Sequence, residues 1–172
     1  MTDLALINIK PFLDEDIGSG DLTADIIAPT CTASATVITR EAMLCCGQDW
    51  FNAVFAELDA NVQVNWQCFE GEWLEAGSVL CTLQSLARPL LTGERTALNL
   101  LQTLSATATQ SYFYAQAVLG TGCKVLDTRK TIPGLRKLGK YATAMGGAQN
   151  HRMGLFDAVM IKDNHLAVAG SV

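Results

Sequence analysis

The apolar positions in the first half of the chain follow two different spacings. Residues 32–40 are rich in β-branched side chains and follow a turn that contains a proline, which predicts a strand. Residues 61–84 read as extended segments separated by glycine turns, which predicts a small antiparallel sheet. Between these, residues 48–58 place four apolar side chains on one face of a predicted amphipathic helix: Phe51, Val54, Phe55 and Leu58.

A long helix is predicted next along the chain. Thr92 is suited to its N-cap, and Glu94 would lie in the first turn, where the helix dipole favours an anion. The helix is expected to end close to Gly120. Its predicted buried face consists of Leu98, Leu101, Leu104 and Ala108.

The last third of the chain has the pattern of alternating strands and helices. Residues 124–127 form a short strand candidate, and Thr131 and Pro133 would begin a helix that ends at the glycines 146–147. Residues 157–161 are continuously apolar, as expected for a strand that is covered on both faces. Strand, helix and strand in this order predict a parallel sheet or an α/β barrel.

Charge is distributed unevenly over these two parts. The formal net charge is −5, yet eight of the twelve basic residues lie beyond residue 120, with only three of the seventeen acidic ones. This asymmetry indicates that the C-terminal third meets an anionic partner. Nucleic acid and a small molecule rich in phosphate or carboxylate groups are both compatible with it.

Other features limit the class of protein. No apolar run is long enough to span a bilayer, and the N-terminus lacks the pattern of a secretory signal. The six cysteines include no C-x-x-C pair, and only two histidines could complete a zinc site. We therefore expect reduced, mostly buried thiols in a cytoplasmic protein that makes no contact with a membrane.

Some of the cations follow the predicted parallel strands directly. Arg129 and Lys130 come after the first strand, and Lys162 comes after the second. Ligands of α/β proteins bind at the carboxyl ends of such strands, so these three side chains are candidates for binding. His151 and Arg152 lie in a glycine-led turn between the strands; for His151 the pattern leaves a functional and a structural role equally open.

The remaining cations are better explained without a ligand. Arg136, Lys137 and Lys140 fall on the polar face of the predicted helix, where a solvated role is expected. Lys124 opens its strand at the opposite edge and is expected on the surface. His165 is expected to cap or hydrogen-bond locally.

Several long motifs resemble those of one enzyme family. The segments DTRKTIPGLRKLGKYA and GGAQNHRMGLFDAVMIKDNH, preceded by EDIGSGDLT and LLTGERTALNLLQTLSATAT, are similar in sequence and order to quinolinate phosphoribosyltransferases. Ala106 and Ala148 stand where that family commonly has glycine. The resemblance implies a two-domain α/β fold, with an N-terminal α+β sandwich domain over residues 1–97 and the first part of a TIM-like α/β barrel over residues 98–172.

The resemblance also implies a reaction. The family transfers the phosphoribosyl group of 5-phosphoribosyl 1-pyrophosphate to quinolinate and releases pyrophosphate and carbon dioxide, giving nicotinate mononucleotide. Quinolinate is a dicarboxylate and the donor carries phosphates, so several fixed cations are needed. By resemblance, Lys130, His151 and Lys162 are the expected catalytic residues, and the expected substrate-binding residues are Arg95, Thr128, Arg129, Lys130, Arg152 and Lys162.

Two further implications concern partners. Arg95 would reach the active site of a neighbouring subunit, which implies a homodimer or larger oligomer. Mg²⁺ would accompany the phosphoribosyl donor, with its acidic protein contacts in barrel strands that follow in the family. A complete barrel takes about 250 residues, so we expect this chain alone to be a poorly stable and inactive part of the enzyme.

Two alternatives remain at this point. One is the paralogue of the same fold that is associated with molybdenum transport, although the NHR and IKDNH segments favour the phosphoribosyltransferase. The other is a nucleic-acid-binding module that uses the basic segment. Against it, the aromatic side chains do not alternate with the basic ones, as stacking platforms for bases would require.

Overall fold

The computed structural model describes residues 8–170. Residues 1–7, on which the expectation about a secretory signal partly rests, lie outside this range. In chain order the elements are α1 (Lys10–Ile17), a 3₁₀ turn (Ala24–Ile26), β1 (Thr32–Ile38), β2 (Met43–Leu44), α2 (Gln48–Leu58), β3 (Gln63–Trp66), β4 (Trp73–Leu74), β5 (Val79–Leu86), α3 (Ala87–Ala117), α4 (Arg136–Met145) and α5 (Asp163–Ala169).

The predicted antiparallel structure of the first half is confirmed. β5 is the central strand of a three-stranded sheet and pairs antiparallel with β1 on one side and with β3 on the other. β2 and β4 form a second antiparallel pair. Cys81 and Leu83 point to one face of β5 and are buried, and Leu80 is buried at the register shift between β5 and β1, while β1 itself is mostly exposed.

Helices α2 and α3 provide most of the core next to this sheet. Helix α2 has the predicted bounds, and its apolar face is buried as expected. Gly93 allows α2 and α3 to approach closely, because a Cβ atom there would lie 2.9 Å from Phe55 Cε1. The buried side chains of α2 and α3 include Trp50, Phe51, Val54, Phe55, Leu90, Leu100, Leu101 and Leu104.

Helix α3 begins at Ala87 with Leu86 as its N-cap, six residues before the N-cap predicted at Thr92. Pro89 lies in its first turn, where the missing N–H costs nothing because the first N–H groups of a helix have no intrahelical acceptor. Thr92 is therefore inside the helix and not its N-cap. Its hydroxyl instead donates a hydrogen bond to Asp21 Oδ2 at 2.8 Å, which ties the segment before β1 to the helix.

The predicted parallel strands of the last third are largely absent. Residues 124–127 make only one parallel bridge, and its partner is Gln149, which pairs with Leu126. Residues 157–161 are not a strand and are exposed, with 91% of Val159 accessible to solvent. The prediction of a strand there was wrong, because an apolar run becomes a strand only where other elements cover it.

Helix α4 lies between these two segments and against α3. It begins at Arg136, later than the sequence predicted, after a turn at Pro133 and Gly134. Its end approaches α3 so closely that a Cβ atom on Gly146 would overlap the carbonyl oxygen of Ala108. The mixed α/β fold class is confirmed, and none of the described helices is both long and apolar enough to cross a membrane.

Candidate active site

The candidate site is built on the turn that follows the single parallel bridge. The Lys130 N–H donates to Thr128 Oγ1 at 3.1 Å, and the Thr131 N–H donates to the Arg129 carbonyl oxygen at 3.0 Å. These short-range bonds fix the backbone of residues 128–131. The side chains of Arg129 and Lys130 take no part in these bonds, and neither side chain makes a hydrogen bond to another described residue.

A cavity of about 290 Å³ lies between this turn and the helices α3 and α4. Thr128 and Lys130 line it on the side of the turn. Leucines and threonines of the two helices line the other sides, and they include Leu100, Thr103, Leu104, Thr107, Leu138 and Thr143. A cation and several hydroxyl groups thus face one apolar cleft.

Arg129 has an unusual environment for an arginine. Its Nε atom is buried and has no hydrogen-bond partner among the described residues. A buried donor without an acceptor costs roughly 1–3 kcal/mol, so the site stores a free energy that an incoming acceptor would recover. A carboxylate or a phosphate matches the planar fork of a guanidinium group.

His151 and Arg152 lie on the strand-like segment that pairs with residues 125–127. Both side chains are half-buried. The His151 N–H donates to Asp127 Oδ1 at 2.8 Å, and Arg152 Nη1 donates to the Ala158 carbonyl oxygen at 3.1 Å. The structure therefore brings the segment of His151 and Arg152 beside the one that leads into Arg129 and Lys130.

The turn after Arg152 is closed by Asp157. Its two carboxylate oxygens accept hydrogen bonds from the backbone N–H groups of Met153 at 2.6 Å and Gly154 at 2.9 Å. These two bonds, with that of Gly154 the stronger influence, lower the pKa of Asp157 below its usual value. The carboxylate is thus a structural group of the loop.

Two predicted site residues are not joined to the others. Arg95 is exposed on α3, and Lys162 is exposed at the start of α5. Among the described residues, no hydrogen bond or ion pair links either side chain to Arg129, Lys130 or His151. The backbone N–H of Lys162 donates to Nδ1 of His165 at 3.0 Å, which confirms the local role expected for that histidine.

The expectation of a fully solvated polar face on α4 was wrong for two of three cations. Lys140 is 2% exposed, and its Nζ donates to Asp127 Oδ1 at 2.5 Å. Arg136 is half-buried and donates through Nη1 to the Met153 carbonyl oxygen at 3.3 Å. Only Lys137 is exposed as expected, and Lys124 is also exposed. Helix α4 is covered on a second side because the bridge segment packs there, which the apolar spacing does not reveal.

The cysteines are free, as predicted. Cys45, Cys46, Cys68 and Cys81 are buried, while Cys31 and Cys123 are exposed. Within the described part of the chain, no group of three or more His, Cys, Asp or Glu side chains is arranged to hold a metal ion.

Comparison with protein families matches nearly the whole chain. Residues 21–105 match the model of the quinolinate phosphoribosyl transferase N-terminal domain, and residues 106–172 match that of the C-terminal domain. The boundary between the two matches falls inside α3. The family motifs in the sequence lie within these ranges, except for the first six residues of EDIGSGDLT.

Similar proteins carry names that agree with these matches. A Mycobacterium leprae protein named nicotinate-nucleotide pyrophosphorylase (carboxylating) is 42% identical over 174 residues, which cover 99% of this chain and 61% of that protein. A Bacillus subtilis protein, described as a probable enzyme of the same name, is 42% identical and is covered to 57% of its length. The chain thus spans about three fifths of these relatives.

Solved structures have the same fold over the same range. The crystal structure of NadC from Streptococcus pyogenes superposes with a TM-score of 0.90 at 40% identity, covering 95% of this chain and 59% of that one. The nicotinate-nucleotide pyrophosphorylase from Francisella tularensis gives a TM-score of 0.87 at 43% identity, with 94% and 58% covered. The two domain matches, in order and without a gap, show that the chain belongs to the quinolinate phosphoribosyl transferase family.

Proposed function

We propose that this chain supplies the quinolinate-binding part of a phosphoribosyltransferase that makes nicotinate mononucleotide. The substrates would be quinolinate and 5-phosphoribosyl 1-pyrophosphate, and the other products pyrophosphate and carbon dioxide. The observation that carries this proposal is the buried, unpartnered Nε of Arg129, in a turn whose neighbours Thr128 and Lys130 line a cleft. The names of the relatives support the same reaction.

The proposed roles follow from the charge of each group. The guanidinium groups of Arg129 and Arg152 bind the two carboxylates of quinolinate, and the Lys130 ammonium and His151 lie beside them. The two guanidinium groups fix the orientation of the pyridine ring, because each can bind one carboxylate through two parallel hydrogen bonds. The ring nitrogen is thereby held in one position relative to the ribosyl donor.

The chemistry proposed for this arrangement needs no protein nucleophile. The pyridine nitrogen attacks C1 of the ribosyl group as the bond to pyrophosphate breaks, so the electron pair of that bond leaves with pyrophosphate. The nitrogen then carries a positive charge, and the ring accepts the electron pair of the adjacent carbon–carboxylate bond when carbon dioxide leaves. That ring carbon then takes up a proton from water, which gives the C–H bond of nicotinate mononucleotide. Positioning and electrostatic stabilisation account for most of the catalysis, with Lys162 on the phosphate side of the donor.

Mg²⁺ enters this proposal with the donor substrate. Asp127, which lies two residues before Arg129, does not fit as a ligand, because both of its oxygens accept hydrogen bonds from Lys140, Asn150 and His151. No step is therefore assigned to a metal ion held by the described residues.

A homodimer is part of the proposal. Arg95 is exposed on α3, and a long cationic side chain in that position can reach a second subunit. Its role would be to complete the neighbouring site. An Arg95→Ala variant should then bind quinolinate more weakly only at protein concentrations where sedimentation shows a dimer. Equal weakening in the monomer would contradict a role across the interface.

The test of the site is calorimetric titration of quinolinate into the parent chain and two variants. Arg152→Ala should raise the dissociation constant by about tenfold or more, which corresponds to roughly 1.4 kcal/mol. The matched control is Lys137→Ala, which removes one positive charge from the exposed side of α4 and should change the constant by less than about twofold. Unchanged binding in Arg152→Ala would overturn the assignment of the site.

The complete reaction is a separate question for this chain. The donor half of the site would require acidic residues and phosphate-binding loops beyond those described, so we predict no quinolinate-dependent pyrophosphate release by the purified 172-residue chain. A steady-state pyrophosphate assay checks this prediction. Turnover in that assay would contradict it.

A cytoplasmic location of the protein also stays a prediction.

The basic segment could alternatively bind nucleic acid. The burial of Lys140 and the half-burial of Arg136 speak against it, because they remove two of the cations that a phosphate backbone would contact. Titration with single-stranded oligonucleotides at several salt concentrations distinguishes the two functions. Tight binding with a steep salt dependence would favour nucleic acid, and we expect neither.

A further inference from the structure

The carboxylate of Asp127 is fully occupied inside the protein. Its Oδ1 accepts hydrogen bonds from Lys140 Nζ at 2.5 Å and from the His151 N–H at 2.8 Å. Its Oδ2 accepts a bond from Asn150 Nδ2 at 2.8 Å. Only 8% of the Asp127 side chain and 3% of the Lys140 side chain are exposed. Both Asp127 oxygens are therefore bound by groups of the protein itself, at the wall of the cleft that Asp127 and Lys140 help to line.

Asp127, Lys140 and Asn150 also hold the backbone around His151 in place. Lys140 Nζ donates a second hydrogen bond, to the His151 carbonyl oxygen at 3.0 Å. The peptide groups on both sides of the His151 Cα are thus bound, the N–H by Asp127 and the carbonyl by Lys140. Asn150 Nδ2 also donates to the Lys140 carbonyl oxygen at 2.8 Å, which ties this segment to α4.

Each pair of proposed site residues, Arg129 with Lys130 and His151 with Arg152, begins next to this cluster. Arg129 is two residues beyond Asp127, and His151 directly follows Asn150. The distance between the two pairs is therefore set by the bridge between Leu126 and Gln149 together with the bonds that join Asp127, Lys140 and Asn150. On an aromatic dicarboxylate the two anionic groups have a fixed separation, so both can be bound well only if the cations are held at a matching distance.

We propose that Asp127, Lys140 and Asn150 form a positioning cluster that makes the site selective for a dicarboxylate over a monocarboxylate. The inference rests on the proposed function. Burial of an ion pair adds little net stability compared with apolar packing, since the desolvation of both charges offsets their attraction. The ion pair of Asp127 and Lys140 is buried where α4 meets the two segments that carry the proposed site residues. We explain its presence there by the distance that it fixes between these two segments.

The test compares two ligands that differ by one carboxylate, quinolinate and nicotinate. Their dissociation constants are measured by calorimetry for the parent, Lys140→Met and Asn150→Ala, with the folded fraction of each sample taken from near-ultraviolet circular dichroism. Lys140→Met should reduce the preference for quinolinate by about tenfold and Asn150→Ala by roughly threefold, while nicotinate binding changes by less than about threefold. The matched control Lys137→Met, on the exposed side of the same helix, should keep the preference of the parent.

A double variant separates positioning from stability. Lys140→Met leaves the Asp127 charge buried without its cation, which is strongly destabilising. Adding Asp127→Asn removes that charge and should restore stability to urea, but it should not restore the preference for quinolinate, because nothing then binds the His151 carbonyl oxygen. A preference that returns together with stability would show a merely structural role and overturn the inference.

The remaining outcomes are distinguishable. If Lys140→Met does not fold, Asn150→Ala and the double variant decide the question, since neither leaves a buried charge unpaired by its cation. A parent that prefers quinolinate, with folded variants that keep this preference, overturns the positioning cluster and leaves the proposed function intact. A parent without any preference for quinolinate overturns the proposed function and this inference with it.

Discussion

Glu70 and Tyr141 connect the two family domains through single side chains. The Tyr141 hydroxyl donates to Glu70 Oε1 at 2.8 Å, and Glu70 accepts backbone N–H bonds from Gly47 at 2.8 Å and Gln48 at 3.1 Å at the start of α2. The carboxylate thus satisfies two of the free N–H groups near that helix end. Burial, followed by the bond to Glu70, raises the pKa of Tyr141, so its hydroxyl stays a donor at neutral pH.

Removing this hydroxyl should have a measurable effect on stability. Tyr141→Phe keeps the ring, whose centroid lies 5.0 Å from that of Trp50, and removes only the hydrogen bond. The free energy of unfolding in urea should fall by about 1 kcal/mol. Tyr114→Phe, at an exposed position of α3, is the matched control and should change it by less than about 0.5 kcal/mol. Equal effects of the two substitutions would contradict the importance of the Glu70 contact.

The cysteines should divide into two classes by reactivity. Burial is the largest cause that raises the pKa of Cys45, Cys46 and Cys68, and it raises that of Cys81 to about 12. Since the thiolate is the reactive form, buried thiols of this kind react slowly. A chromogenic disulfide reagent at pH 8 should label Cys31 and Cys123 quickly, and all six thiols only after denaturation. Fast native labelling of more than two thiols would contradict the described burial.

At the level of elements, a glycine inside α4 and the glycine that directly follows it have opposite expected effects. Gly139 lies within the helix and has no atom within 4 Å of a Cβ built on it, whereas a Cβ on Gly146 would be 2.8 Å from the Tyr112 N atom. Gly139→Ala should stabilise the protein by roughly 0.5–1 kcal/mol, through helix propensity. Gly146→Ala should destabilise it by about 1–3 kcal/mol, because α4 has to move away from α3.

Thermal and urea unfolding of the two alanine variants check this prediction. Each variant serves as the control of the other, since both substitutions add one methyl group, one inside α4 and one at its end. A neutral Gly146→Ala would mean that α4 and α3 are farther apart than described.

The sequence predicts a helix or turn well where the residues of that element alone determine its structure. Helix α2 has the predicted bounds because its apolar stripe alone specifies it, and the antiparallel turns at Gly71 and Gly77 contain glycines with positive φ of 83° and 88°. The strand at 157–161 was predicted wrongly because an apolar run does not say what covers it. Lys140 was assigned to solvent because only its contact with Asp127, thirteen residues away, places it inside.

The candidate site was predictable as a set of residue types and less so as a geometry. Strand-end position led to the prediction of Arg129 and Lys130, and Lys130 lines a cleft, although the strand proved to be a single bridge. The sequence did not predict that Gln149 pairs with Leu126. The segment between Gly147 and His151 is too short to show the alternation of apolar and polar residues that indicates a strand. The proximity of His151 to the turn depends on that bridge.

For the whole molecule, three surface carboxylates determine part of the response to acid. Hydrogen bonds lower the pKa of Asp21, Asp59 and Asp157, and the largest cause in each case is the backbone N–H of Ala24, of Asn61 or of Gly154. Because their pKa values are lower in the folded state than in the unfolded chain, their contribution is present above about pH 4 and is lost as the pH falls through the folded values.

Unfolding curves in urea between neutral pH and pH 3 test this prediction. A triple variant, Asp21→Asn, Asp59→Asn and Asp157→Asn, should be less stable than the parent at neutral pH, and the difference should shrink as the pH decreases. Parallel curves for parent and variant would show that these carboxylates do not contribute to acid sensitivity.

Helix α3 has a consequence for how the protein forms on the ribosome. It contacts α1, β1, β2, β5, α2 and α4, so it forms one wall of nearly every buried region. The strands of the first half are synthesised before it, and their apolar face is only partly covered, by α2, until residues 100–104 have left the exit tunnel. The nascent chain is therefore expected to remain dependent on chaperones until α3 has been synthesised, and then to fold both family domains onto one helix.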